Sequence, residues 1–567
     1  MNYKQELAQA LTQTGLPYDE LLNAIEVPER NLGDFAFPCF KLAKELKKAP
    51  PAIATELADK LQGAIPFVAD IKAVGPYLNF YLDRTHFAST VVGEALQKGN
   101  DYGKSDIGTG KNIVIDYSSP NIAKPFHVGH LRSTVIGQAL YNIYSHLGYN
   151  CIGVNHLGDW GTQFGKLVIA YRLWSSKEEI EQGGITALNA IYVKFHEEAE
   201  KNKALEDDAR AAFLAMEEGD EETIATWRFF YDISLKEFEK VYAKLGITFD
   251  HYLGESFYSD KMQPVVEELE TKKILQLSEG AKIVDLEDSG LPPCMIIRSD
   301  GGTLYATRDL ATALYRKKTY NFYRAIYVTA TDQSLHFKQF FKVLEKMGYA
   351  WANDLYHVTF GLVSLPEGKL STRKGNVVLM QDILDAATDK AKEIIEEKNP
   401  DLANKDTVAA QVGIGAIIFN DMYNQRTKDV VFSFDKMLSF EGETGPFVQY
   451  SHARANSVLK KATDAGFATD FSNINYAHLT DDEAQTLIAN IYYFKDKLVD
   501  VTEKHEPYLL TRQLVEIAQS FNKFYQVHHI NTEDESIKNA RLALVQVTKQ
   551  TLYNGLRLLG INAPEAM

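Results

Sequence analysis

The chain has 567 residues, 45% of them hydrophobic and 24% charged, and carries 76 acidic against 60 basic side chains for a formal net charge of −16. That is the make-up of an ordinary multidomain enzyme. Three scattered cysteines (Cys39, Cys151, Cys294) form no C-x-x-C pair, which argues against both a disulfide framework and a thiolate zinc site.

No stretch approaches the ~20 apolar residues of a bilayer helix. The longest run, Val412 to Phe419, is short and holds two glycines. The opening Met-Asn-Tyr-Lys-Gln-Glu-Leu lacks the apolar run of a secretory signal, so a cytoplasmic location is expected. Net acidity does not exclude a nucleic-acid partner. Much of it sits between Glu178 and Glu222, which leaves basic clusters at Lys41 to Lys48, Lys369 to Lys374 and Arg454 to Lys461.

In chain order, helical patterns at Tyr3 to Gly15 and Pro51 to Gly63 lead to an alternating stretch, Val74 to Leu82, that reads as a half-buried strand. These make an α+β N-terminal domain over 1–110. A strand at Asn112 to Asp116, a loop at Ser118 to Pro125 and a helix at His127 to Leu147 form the opening unit of a nucleotide-binding sheet. Later strands at Ala325 to Thr329 and His357 to Val363, with a helix at His336 to Lys346, predict a Rossmann-type parallel-sheet domain over 111–380. Acidic amphipathic helices are inserted in it at about 170–260. A helical connection covers 381–430. An all-α C-terminal domain, 431–567, is built from Pro446 to Ala465, Asp481 to Glu503, Leu510 to His528 and Ser536 to Leu559.

Two sites could carry chemistry. His127-Val-Gly-His130 stands where the first helix begins, and helix N-termini bind anions through unpaired N–H groups. The two imidazoles can donate to phosphate oxygens while Gly129 lets a nucleotide approach. Taken alone, two such histidines are ordinary surface or core residues. Gly368-Lys-Leu-Ser-Thr-Arg-Lys-Gly-Asn376 packs three cations and two hydroxyls into a glycine-flanked loop suited to a triphosphate, although a lone basic loop is usually just solvated.

Together, in this order, the two elements resemble the HIGH and KMSKS motifs of class I aminoacyl-tRNA synthetases. The resemblance narrows to the arginyl-tRNA synthetases at Asp116-Tyr-Ser-Ser-Pro-Asn-Ile-Ala-Lys-Pro-Phe-His-Val-Gly-His-Leu-Arg-Ser-Thr134, Asn155-His-Leu-Gly-Asp-Trp-Gly-Thr-Gln-Phe-Gly165, Thr303-Leu-Tyr-Ala-Thr-Arg-Asp309 and Glu441 to Arg454, and it covers essentially the whole chain. Thr372 stands where KMSKS has its second lysine. The family is described as using a lysine just before HIGH, the place of Lys124, and Lys374 could share the role.

The resemblance implies ligation of L-arginine to tRNA(Arg) through an arginyl-adenylate, with ATP and Mg²⁺, no structural metal, no DNA and a monomeric state. It implies catalytic roles for Lys124, His127, His130, Lys369 and Lys374, and ATP contacts at Gly129, Phe360, Gly361, Val363 and Ser371. Asp116, Ser119, Asn121, Tyr305, Asp309 and Gln333 would bind arginine, with Tyr305 and Asp309 one helical turn apart and facing the guanidinium. Tyr77 and Asn79 would meet the tRNA D-loop; Phe447, Arg454, Lys460 and Tyr525 would meet the anticodon. The family also usually needs bound tRNA for activation, and a site built on hydrogen bonds needs no editing domain. A small-molecule adenylyltransferase and a catalytically silent tRNA-binding relative remain as alternatives.

Overall fold

The computed structural model describes all residues except 30–31, 300, 303, 366–367, 370–377 and 468–470, and the side chains at 365, 368 and 369. Contacts divide the chain into two compact units, each discontinuous in sequence: Met1–Tyr102 with Ala455–Tyr493 and Gln519–Thr551, and Gly103–Arg454 with Phe494–Ala518 and Leu552–Met567.

In the first unit, strands β1 (Phe35–Pro38), β2 (Val68–Val74) and β3 (Tyr77–Leu82) form an antiparallel sheet ordered β1-β3-β2. The single expected strand at 74–82 is thus a hairpin: Gly75-Pro76 reverses the chain, and Val74 pairs with Tyr77. Tyr3, fully buried, packs against Phe87 and Tyr492 at 5.5 and 5.6 Å, and the Tyr102 hydroxyl donates to the Ile491 carbonyl at 3.0 Å. These contacts tie the N-terminal elements to the late helices within that unit.

The second unit is built on β4 (Asn112–Asp116), β5 (Asn150–Asn155), β6 (His251–Tyr252), β10 (Arg324–Ala330) and β11 (Leu355–Phe360). They lie in the order β11-β10-β4-β5-β6, parallel throughout. Strands buried on both faces read as nearly continuous apolar runs, as Ile113, Val114 and Ile115 do at 0% exposure. The order reverses between β4 and β10, so the crevice beyond their carboxyl ends is where an open α/β sheet takes its ligand.

An antiparallel sheet of β7 (Leu275–Ser278), β8 (Ala281–Val284) and β9 (Cys294–Ile297) packs on one apolar core with the helices Met262–Thr271 and Tyr305–Tyr320. The expected strand at 357–363 is broken. β11 ends at Phe360, and β12 (Val363–Leu365) joins a separate sheet with β13 (Gly368–Lys369) and β14 (Val430–Val431). The break falls at Gly361, where an added Cβ would lie 2.7 Å from the Lys428 backbone and the Asp429 carboxylate.

The α/β class with a parallel sheet, helical insertion and helical C-terminal region is as the sequence predicts. The insertion is the helices Lys177–Lys201, Ala204–Glu218 and Glu221–Leu245. No helix among the described residues is long and apolar enough to cross a membrane. The three thiols are unpaired, and burial raises all their pKa values, that of Cys39 to about 11.

Candidate active site

The chain leaves β4 through a strained loop. Ser118, Ser119 and Ala123 hold φ of 71°, 48° and 59°, a region costly for residues with a Cβ. Hydrogen bonds enforce it: Ser118 N–H donates to Ser133 Oγ (2.9 Å), Thr134 Oγ1 to Ser118 Oγ (2.8 Å), and Ser133 Oγ to the Val328 carbonyl on β10 (2.6 Å). Ala123 N–H donates to Ser234 Oγ (2.8 Å).

The two histidines do not start an α-helix, as the sequence suggests, but a 3₁₀ turn, Val128–His130, that feeds the Leu131–His146 helix. They cap it reciprocally: Gly129 N–H donates to His127 Nδ1 (3.0 Å), and His127 N–H to His130 Nδ1 (3.2 Å). Both Nδ1 atoms are acceptors, so each neutral ring carries its proton on Nε2 and keeps that N–H as a donor. The rings lie 4.0 Å apart, with Phe126 5.0 Å from His130. Burial, helped by the exposed Lys124, lowers the His127 pKa; burial takes that of His130 to about 3, with help from the nearby His127 and Lys124. Gly129 is required here because a Cβ would sit 2.8 Å from the His127 ring.

The described residues that follow the basic segment lie against the same turn. The segment's first described flank is β13, paired to β12, and Lys369 lies there; its far flank returns at Leu379, bridged to His127, where Met380 N–H donates to the Phe126 carbonyl at 2.9 Å. Ser371 and Lys374 lie outside the described residues, as does the side chain of Lys369.

Arg132, two residues past His130, is fully buried. It pairs with Asp421 (2.9 Å) and donates to the carbonyls of Gly361 (3.0 Å) and Lys428 (2.8 Å), and its guanidinium carbon lies 5.8 Å from the Phe360 ring centre. Phe360 and Gly361 are therefore packed into the protein, and of the expected nucleotide contacts between 360 and 363 only Val363 is half-exposed.

At the other end, the Asp116 carboxylate is already engaged by Arg316 Nη2 (2.7 Å) and Ser119 Oγ (2.8 Å), and both Asp116 and Arg316 are buried. Asp116 is the floor of the site rather than free acidity. Asn121 is exposed and bridges to Gly158, and Gln333 is exposed in the turn after β10, so both stand at the carboxyl edge of the sheet. Tyr305, 64% exposed, opens the Tyr305–Tyr320 helix, and Asp309 follows one turn later. Asp309 Oδ2 lies 2.5 Å from His336 Nε2, and the neighbouring Arg308 pairs with Glu255 at 3.0 Å.

Of the expected RNA contacts, Tyr77 is half-buried beside the exposed Phe40 (5.8 Å). Asn79 is only 2% exposed and lies in the sheet interior, so its side chain is not placed to touch a partner. Phe447 is half-buried in the same unit as Arg454, whose guanidinium lies 4.7 Å over the Tyr450 ring. Lys460 is exposed, and Tyr525 lines a cavity of about 360 Å³ with Lys461, His528 and His529 in the other unit. There Asp481, Glu483 and His528 approach one another, but the imidazole is engaged by Asp481 (2.9 Å) and Arg541 (3.2 Å).

Sequence reasoning missed the two buried arginines, Arg132 and Arg316, and His336. Arg132 sits inside the quoted motif, and only its burial reveals its task. Arg316 and His336 carry no signal short of the helix packing that brings them to Asp116 and Asp309.

A parallel sheet with a histidine turn beside the reversal of strand order, and Leu379 bridged to that turn, is the framework of a catalytic domain of the class I aminoacyl-tRNA synthetase type. Family models match along the chain: "tRNA synthetases class I (R), catalytic domain" over 91–434, "DALR anticodon binding domain" over 448–567 and "Arginyl tRNA synthetase N terminal domain" over 1–82. The arginine–tRNA ligases of Alkaliphilus metalliredigens and Halothermothrix orenii are 55% and 51% identical to it, each pair aligning over 100% of both chains. The Thermus thermophilus arginyl-tRNA synthetase structure superposes with a TM-score of 0.82 at 28% identity, covering 100% of this chain and 99% of that one. The chain belongs to the arginyl-tRNA synthetases.

Proposed function

We infer that the protein joins L-arginine to tRNA(Arg), consuming ATP and releasing AMP and diphosphate, by way of an arginyl-adenylate. The observation that carries the mechanism is the reciprocally capped histidine turn at the sheet's switch point, with the far flank of the basic loop bridged to it.

The arginine carboxylate is already a nucleophile and attacks the α-phosphorus of ATP without a general base. Diphosphate leaves with the bonding electrons. Catalysis is then alignment and charge stabilisation. His127 and His130 donate from Nε2 as neutral groups, and Lys124 supplies a fixed positive charge next to them. Lys369 and Lys374 close on the leaving diphosphate, Ser371 and Val363 border the nucleotide, and Gly129 lets it approach. Phe360 and Gly361 support this edge from beneath through Arg132. Mg²⁺ enters with the triphosphate as part of the substrate: a hard cation prefers oxygen ligands, and the turn offers N–H donors and an ammonium, which suit phosphate oxygens instead.

Asp309 and Tyr305 face the guanidinium, and Asn121, Gln333 and Ser119 hold the amino and carboxylate ends. Tyr77, Phe447, Arg454, Lys460 and Tyr525 contact tRNA, with 1–110 as the D-loop domain, 111–380 catalytic, 381–430 connecting and 431–567 reading the anticodon. The enzyme acts as a cytoplasmic monomer.

The test is ATP–diphosphate exchange across the twenty amino acids, with and without tRNA. Exchange with arginine alone among them, and only when tRNA is present, is expected. Exchange driven by a pantetheine phosphate or nicotinate nucleotide instead would return the adenylyltransferase reading, and no exchange at all the silent relative.

A further inference from the structure

The buried Arg132 joins three segments that are far apart in sequence. It lies on the Leu131–His146 helix, two residues past the histidine turn. Its Nη1 donates to the carbonyl of Gly361, at the break between β11 and β12 (3.0 Å), and to that of Lys428, two residues before β14 (2.8 Å). Its Nε faces Asp421 Oδ1 at 2.9 Å, near the end of the Lys405–Tyr423 helix, and Asp421 is buried as well. The segments it holds are laced to each other. Gly361 N–H donates to the Arg426 carbonyl (2.9 Å), Leu362 N–H to Asp429 Oδ1 (2.7 Å), Val430 N–H to the Leu362 carbonyl (2.9 Å) and Phe432 N–H to the Ser364 carbonyl (2.9 Å). β12 leaves this knot between β14 and β13, and Lys369 stands on β13.

Two of the guanidinium's partners are carbonyls, and they separate two roles. A buried carboxylate needs a compensating cation, which a lysine also supplies. It does not need a donor shared between the carbonyls of two crossing segments. A planar fork fixes direction as well as charge, whereas an ammonium on a flexible stem is a point charge. The base of this side chain is rooted beside the histidine turn, and its tip holds the origin of the β12–β13 arm. In the proposed reaction the turn donates to phosphate oxygens and Lys369 meets the leaving diphosphate. A misplacement of about 1 Å between such groups can cost about 10²-fold in rate. We propose that Arg132 is a positioning residue for adenylate formation: it sets the β12–β13 arm at its working distance from the histidine turn and touches no substrate itself. The inference rests on the arginine–tRNA ligase reading above.

Arg132→Lys keeps a charge for Asp421 and loses the fork. In single-turnover assays with tRNA present, it should slow adenylate formation about 10- to 100-fold, with the arginine KM held, because Tyr305 and Asp309 are not among the partners of Arg132. Arg132→Met/Asp421→Leu removes the ion pair without stranding a charge, a change that proteins often tolerate. If the pair only balances charge, this variant works near the wild-type rate. If Arg132 positions the arm, it is as slow as Arg132→Lys, because the Gly361 and Lys428 carbonyls have lost their donor. Urea unfolding checks that each variant folds. A merely structural defect would multiply with other losses. A displaced arm would not: Lys369→Ala should cost much less in the Arg132→Lys protein than in wild type. A near-wild-type rate in either Arg132 variant, full multiplication of the Lys369→Ala effect, or loss of folding in both Arg132 variants overturns the proposal. A wild-type protein with no arginine-dependent exchange overturns the functional reading instead.

Discussion

In the proposed reaction, the phosphate end of the site, at the histidine turn, and the guanidinium end, at Asp309, solve opposite electrostatic problems. At the phosphate end the two imidazoles are kept neutral and positive charge is left to the exposed Lys124: each histidine lends its Nδ1 to a backbone N–H, and burial holds the His130 proton affinity far below the ordinary imidazole value. At the guanidinium end, groups that could be free anions are already paired, Asp116 with Arg316 and Asp309 with His336. The difference teaches that a site for charged substrates is not assembled by setting bare opposite charges in a cavity. Uncompensated buried charge is too costly, so the fold supplies stand-in partners and leaves the substrate to add to the pattern or replace a member of it.

The comparison breaks most visibly at Asp116. If its carboxylate serves the internal Arg316, Asp116→Ala strands a buried guanidinium and should cost about 3–5 kcal/mol of stability. Urea unfolding with the m-value checked reads this directly. A variant of normal stability with a raised arginine KM would instead make Asp116 a free pocket acid.

At the phosphate end, His130→Ala should lower the rate of adenylate formation by about 10²- to 10³-fold, as loss of a charge-stabilising donor does, with the arginine KM little changed. A rate within a few-fold of wild type in single-turnover assays would dismiss the donor role. His130→Gln, which keeps an N–H, should recover part of the loss.

Much of the fold was legible in the residues. The strand-loop-helix at 112–147, the parallel sheet and the helical C-terminal region follow from apolar periodicity, and the histidine turn was expected at its place after β4. What escaped is long-range pairing. Arg316 lies 200 residues from Asp116, and Asp309 and His336 sit on separate helices. Asn79 was expected at the tRNA surface from the family resemblance alone, and residue matching does not show burial: it is 2% exposed, and its neighbours Leu78 and Phe80 are both fully buried. Gly361, one of the ATP contacts the resemblance implies, lies where an added Cβ would meet the Lys428 backbone at 2.7 Å, a close approach of two backbone segments.

The guanidinium end sharpens next. Asp309→Asn keeps the shape, removes the charge and weakens a charge-assisted hydrogen bond, so the arginine KM should rise roughly 10- to 100-fold with the ATP KM held. His336→Ala should move the same constant by less, because it frees Asp309 for the substrate while loosening its position. If the two variants shift the ATP KM as much as that of arginine, the pair belongs to the fold and not to the pocket.

The smallest expected effect is an absence of one. A histidine whose folded pKa is lowered from 6.5 to about 3 takes up no proton between pH 8 and 6, so adenylate formation should show no titration from His130 in that range. A break near pH 6.5 that vanished in His130→Gln would mean that the ring works as a cation. Stability shows the same neutrality with the opposite visibility. The unfolded chain binds a proton at about 6.5 and the native ring not until about 3, so stability is full above 6.5 and falls as pH drops through that window, by up to about 1.4 kcal/mol per pH unit for each such group. His357 (about 4) and His505 (about 3) act in the same direction, while the raised carboxyls of Asp159, Glu255, Asp421 and Glu506 oppose them by binding protons more readily in the native state. Subtracting one histidine separates the two: His505→Gln should lose less stability than wild type between pH 7 and 5, and equal losses would show that the buried rings do take up protons.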